Sequence, residues 1–214
     1  MSLTINLWTK VGVKIQSQLA AADTVTAITK ANPAVLSATA HGWNNGDLIL
    51  LKITGMRQLD YRVARVANKT IDTAELEGID STSYDTFVSG TAEVITFGTS
   101  CATLQDVNGS GGDAEPILIK TIHEDQDFEL PGNRSPLVYT FGSLWDPSDA
   151  ALVALNGFDN SKSPAAIAFE FANGGKLYFC AYPSASLAAN GQSGAPVTTP
   201  VSLRVRNRLT AYAS

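Results

Sequence analysis

Short runs in which apolar residues alternate with small or polar ones, separated by clusters of Gly, Asn and Ser, recur along the whole chain. Successive strand residues point to opposite faces, so this period of two predicts half-buried antiparallel strands, while the 3.6-residue period of a helix is scarce. The clearest hairpin begins at Ile167, where Ile167, Phe169 and Phe171 alternate with small or polar residues before Asn173-Gly174-Gly175. Asn-Gly readily takes the positive φ angles of tight hairpin turns, and the chain then returns through Leu177 to Tyr182. A long last strand is predicted in which Val201, Leu203, Val205 and Leu209 share a core face and Ser202, Arg204, Arg206, Arg208 and Thr210 share a basic one.

A single short helix is predicted from Asp146, whose carboxylate caps free N–H groups, with Pro147 at the first helical position and Asp149 in the first turn. It is expected to end near Asn156-Gly157, and its apolar interior, Ala150 to Leu155, to pack flat on the sheet or on a neighbouring subunit. Two long loops are predicted. Asn108-Gly109-Ser110-Gly111-Gly112 is flexible by composition. His123 to Ser135 carries Glu124, Asp125, Asp127 and Glu129 around Phe128 and finishes in Pro131-Gly132. Structureless loops of that length are generally functional or ordered by a partner; a solvated tip is the plainer alternative.

Composition adds a hint of partners. Of 214 residues 44% are hydrophobic and only 16% charged, enough to bury a core but sparse charge for the surface of a soluble monomer. A formal net charge of -5 argues against gripping nucleic-acid phosphates, which takes clustered Lys and Arg. The charge is also uneven. Asp113, Glu115, Glu124, Asp125, Asp127 and Glu129 face one base, Lys120, whereas Lys162, Lys176, Arg204, Arg206 and Arg208 accompany Glu170 alone in residues 161–214. Heterologous contacts join two different patches, so the acidic loop is expected to reach an adjacent subunit or ring and meet the arginine face, with Phe128 and Leu130 as apolar anchors. An ordinary solvated strand face is the alternative for the arginines.

No apolar run approaches a membrane span or follows a basic segment at the N-terminus, so a soluble, unsecreted chain is expected. Cys101 and Cys180 lack CxxC or Cys/His spacing and are expected to be buried free thiols. His41 and His123 fall in no metal-ligand spacing, and His41 is expected to pack or bond locally in a turn. The Gly-rich segments lack the Lys-Ser/Thr ending of a phosphate-binding loop, and Asp125 and Asp127 sit on a loop without a pocket for glycoside chemistry. No catalytic residue, metal or cofactor is assigned, and the expectation is a structural protein, not an enzyme.

Residues 31–96 read as a small β unit inserted between residues 1–30 and 97–214. It contains "NPAVLSATAHGWNNGDLI", "ITGMRQLDYRVARV" and "GIDSTSYDTFVSGTAEV". These stretches resemble a β module recurrent in phage tail and baseplate proteins and named for a similar domain in ubiquitin-activating enzymes. The resemblance implies a structural decoration, since no cysteine lies within it.

In the remainder, the order of strand Leu137 to Leu144, helix "DPSDAALVALNGF", strand Ala165 to Phe171, Asn-Gly hairpin, strand Lys176 to Tyr182 and final "VSLRVRNRLTAY" resembles the lambda-like tail tube family of siphophages. The insert departs from lambda's arrangement, which appends its extra domain at the C-terminus. The resemblance implies a mainly β, antiparallel β-sandwich or barrel fold with one short flanking helix. It also implies hexameric rings, stacked into a virion tail tube and assembled in the host bacterial cytoplasm, through which DNA passes without specific binding. The implied partners are copies of the chain itself and the tape measure, tail-tip and tail terminator proteins, with no membrane. The insert is expected on the tube exterior, and excising residues 31–96 is expected to leave a chain that still assembles. Other readings are a terminator, completion or baseplate-hub subunit of the same fold, and a displayed carbohydrate-binding module using Trp43 and Tyr84.

Overall fold

A computed structural model of the protein describes residues 10–123 and 125–213. Its strands are β1 (Gly12–Leu19), β2 (Asp23–Val25), β3 (Ala27–Ile28), β4 (Ala34–Ser37), β5 (Leu48–Thr54), β6 (Val63–Ala67), β7 (Thr73–Leu76), β8 (Ser89–Cys101), β9 (Leu104–Ser110), β10 (Ala114–Ile119), β11 (Phe128–Arg134) and β12 (Val138–Leu144). The helix α1 (Ala150–Ser161) follows, then β13 (Ala165–Glu170), β14 (Lys176–Ser184), β15 (Thr198–Val205) and β16 (Thr210–Tyr212). The described residues are therefore mainly β with antiparallel pairing and one α-helix, as the alternation predicts.

The main sheet runs β3-β4-β7-β6-β5-β8-β1-β13-β14-β15-β12-β9, with β16 on β14 and β2 on β8. The long strand β8 is shared. Its first half pairs with β5, Thr54 opposite Ser89, and its second half pairs with β1, Val13 opposite Cys101. Three apolar cores follow from this path. The first lies under β4 to β8 and centres on Leu36, Trp43, Ile49, Met56 and Leu76. The second joins Ile15, Phe141, Leu152, Phe169, Phe179 and Leu203 beneath α1. The third is a seam between them, where Leu50 and Val63 meet Ala166, Ala168, Tyr178, Cys180 and Tyr212. This arrangement explains the unbroken apolar run of β13: Ile167 and Phe169 enter the second core while Ala166 and Ala168 enter the third.

Several local expectations are corrected. The helix is capped by Asp149, whose carboxylate accepts the N–H groups of Ala151 at 2.7 Å and Leu152 at 3.1 Å. Asp146 instead closes a turn on the Ser148 N–H and hydroxyl. The helix runs through Asn156-Gly157 to Ser161, because the Asn156 amide is held by the Ala185 carbonyl at 2.7 Å and Phe158 packs on the second core. The last strand is broken. The ladder holds through Arg206, whose N–H meets the Cys180 carbonyl, and resumes at Thr210 opposite Tyr178, so Asn207 to Leu209 bulge out. Both predicted loops are largely strand: Asn108 to Ser110 end β9, and Phe128 to Arg134 form β11.

Candidate assembly surfaces

Among the described residues, strands β10 and β11 pair only with each other and form a two-stranded arm outside the main sheet. The register places Ile117 opposite Leu130 and Ile119 opposite Phe128, so these four side chains share one face. On it Ile117 is 55%, Leu130 48% and Phe128 43% exposed. The other face carries Leu118 opposite Glu129, and Lys120 pairs with Asp127 at 3.4 Å across the tip. An isolated two-stranded hairpin is marginal in water, and contiguous exposed apolar side chains mark an interaction surface. Phe128, Leu130, Asp125, Asp127 and Glu129 thus lie on or beside one projecting element. Glu124 lies outside the described residues.

At the root of the arm is a cleft of about 750 Å³, lined among others by Arg134, Pro136, Leu137, Arg206, Arg208 and Leu209. Arg134 donates to the Gly112 carbonyl at 3.3 Å. Arg206 lies 3.4 Å above the Tyr61 ring centroid and 3.5 Å from the Asp60 carboxylate. Arg208 lies over Tyr84 at 5.5 Å. Among the described residues, no carboxylate lies within ion-pairing distance of Arg134 or Arg208.

Arg204 and Arg206 share the face that the alternation predicts, since Tyr182 lies opposite Arg204 and accepts a hydrogen bond from Arg206, which also lies against Tyr61. The bulge at Asn207 to Leu209 follows them and carries Arg208 over Tyr84. Sequence reasoning missed Arg134, which follows an acidic segment and joins the arginines only through the fold. It also missed Ile117 and Ile119, whose face appears only once the strand register is known.

Beside Arg204 the sheet is uncovered. Register places Ser184, Ser202, Thr140 and Asn108 across it, with Asp106 next to Gly142, whose N–H it accepts at 2.9 Å. A shallow groove of about 430 Å³ runs over these short polar side chains, and β9 is the sheet's edge strand.

Among the described residues no cluster of three or more His, Cys, Asp or Glu is placed to hold a metal, and no helix is long and apolar enough to cross a membrane. Cys101 and Cys180 are buried free thiols, as predicted, and burial pushes both up to about 12. His41 is buried and stacks on Trp43 at 4.2 Å between ring centroids. Trp43 and Tyr84 are only 1% and 9% exposed, which removes the aromatic platform expected of a carbohydrate-binding module.

The family model described as phage tail tube protein, TTP, matches residues 54–214. No curated protein matches the chain.

Proposed function

The chain belongs to the phage tail tube protein family, and from that premise we propose that it forms stacked, hexameric rings making the tail tube of a siphophage of the lambda type. The family is structural and not one of enzymes, and it places the protein in the virion tail. Self-assembly and contact with other tail components follow from membership at that level. The hexamer, the stacking, DNA delivery, assembly in the host cytoplasm, and contacts with tape measure, tail-tip and terminator proteins belong to the proposal.

The observation that carries the reading is the β10–β11 arm, which offers an apolar face on which Ile117, Phe128 and Leu130 stay exposed among the described residues. A second copy is the cover that a tube protein supplies. In this reading the arm residues Glu124, Asp125, Asp127, Phe128, Glu129 and Leu130 and the arginines Arg204, Arg206 and Arg208 are contacts between copies or beside the channel.

The uncovered face of β9, β12, β15 and β14 is the proposed wall of the channel. Its short hydroxyl and amide side chains, with Asp106 and Arg204, give DNA no cluster of cations to hold. Residues 31–96 are proposed as an inserted module on the tube exterior, since a folded module in the channel would obstruct DNA.

Negative-stain electron microscopy of the concentrated, purified protein tests the reading. Hollow tubes with a regular axial repeat are expected. Rings that never stack would point to a terminator of the same fold, and a persistent monomer would count against self-assembly without a tail-tip nucleus.

A further inference from the structure

We propose that the arm of one copy docks in the arginine cleft at the root of the arm of a second copy, an inference that rests on the assembly reading above. The two surfaces complement each other in charge. The arm carries Glu115, Asp125, Asp127 and Glu129, and its one lysine, Lys120, is already paired with Asp127. The cleft presents Arg134, Arg206 and Arg208, of which only Arg206 has a carboxylate partner among the described residues.

The surfaces also match in apolar character. Ile117, Phe128 and Leu130 are exposed on one face beside the half-buried Ile119, and Pro136, Leu137 and Leu209 lie among the cleft's arginines. Burying these side chains together would remove water from around the charge pairs, where Arg–carboxylate hydrogen bonds are stronger and more directional than at an open surface.

The arm cannot fill its own cleft. Among the described residues its strands pair only with each other, and the acidic tip lies a strand length, roughly 20 Å, from the root at about 3.3 Å per residue. Each copy therefore gives a tip and offers a root. Such a heterologous contact repeats from copy to copy, closing into a ring or continuing as a filament.

The test uses the full chain in two variants, Asp125→Lys/Glu129→Lys and Arg134→Glu/Arg208→Glu. Arg206 is left intact because it also holds Asp60 and Tyr61. Far-ultraviolet circular dichroism and thermal melting first establish that both fold. Each alone then places like charges in the contact, and the assembled fraction in sedimentation at low salt should fall more than about tenfold against wild type.

Mixed in equal amounts, the two should assemble again, because every arm then finds a cleft of opposite charge. Wild-type assembly together with normal assembly of either folded variant alone overturns the contact and leaves the tube reading standing. Failure of the mixture to recover also overturns it. A wild-type chain that never self-associates overturns both.

Discussion

The hydroxyl of Tyr212 accepts the backbone N–H of Arg65 at 2.8 Å, and the Arg65 guanidinium lies 4.2 Å from the centroid of the same ring. The pair joins β16, at the end of the chain, to β6, within the first core's layer. Around it Arg62 donates to Thr210 and to the Tyr84 hydroxyl at 3.0 Å each, and the Asn207 amide holds the Arg57 and Asp60 carbonyls. The seam thus combines an apolar centre with directional polar contacts, and these fix the orientation in which the first core's strands sit on the rest.

Tyr212→Phe should therefore destabilise the whole chain. The ring is kept and its packing with Tyr178 survives, but the part-buried Arg65 N–H loses its acceptor, a loss of about 1–3 kcal/mol. Urea denaturation of the monomer checks this. An unchanged midpoint would mean that water replaces the hydroxyl and that the bond contributes nothing to the seam.

Alkaline pH should weaken the fold through its buried acids. Burial raises the Cys101 and Cys180 thiols from 9.0 to about 12, and it raises Tyr139, Tyr178 and Tyr212 in the same direction. The folded chain then keeps thiol protons that the unfolded chain gives up above about pH 9, so the unfolded state binds fewer protons and stability falls as pH rises. The loss begins near pH 9 and continues towards pH 12. Urea midpoints measured at pH 7, 9 and 10 should decline, with a shallower decline in Cys101→Ala/Cys180→Ala. A flat profile would contradict the burial argument. The thiols should also stay unreactive to an aromatic disulfide reagent until the chain unfolds.

Where local chemistry and tertiary packing agree, the sequence is easy to read. The Ile167 hairpin is visible because alternation and Asn173-Gly174 both favour it, and Gly174 takes φ +92°. The arm is hidden because Pro131-Gly132 reads as a turn. A two-stranded ribbon tolerates Pro at its edge, and Gly132 is required there, since a Cβ would lie 2.6 Å from the Glu115 carbonyl oxygen. The last strand reads as continuous because the bulge at Asn207 depends on carbonyls of Arg57 and Asp60, about 150 residues away in the sequence. The helix cap is ambiguous in the sequence because Asp146 and Asp149 are both good caps, and only packing decides between them.

The seam changes the outcome expected of excising residues 31–96. Removing them takes Leu50 and Val63 from Ala166, Ala168, Tyr178 and Tyr212, and cuts β8 after Thr96, so that Leu19 and Gln18 of β1 lose Ile95 and Thr96. The excised chain should therefore melt earlier and bind a hydrophobic dye, instead of assembling normally. Leu50→Ala, which truncates one fully buried side chain at the seam, should cost about 2–5 kcal/mol. A well-folded, tube-forming excision variant would show that the remaining chain does not depend on the seam.

Phe128→Ala/Leu130→Ala should separate folding from assembly. Both side chains are largely exposed in the single chain, so their removal should change monomer stability by no more than about 0.5 kcal/mol. In the proposed tube contact the same side chains would be covered, and losing roughly 3 kcal/mol of apolar burial would raise the concentration needed for assembly by about a hundredfold. Ile71→Ala is the control, since Ile71 is more exposed than either residue but belongs to the module proposed to lie outside the tube. Sedimentation across a concentration series should show the arm variant as a folded monomer where wild type and Ile71→Ala assemble. An arm variant that assembles at the wild-type concentration would remove the arm's apolar face from the contact and leave its charges alone to carry it.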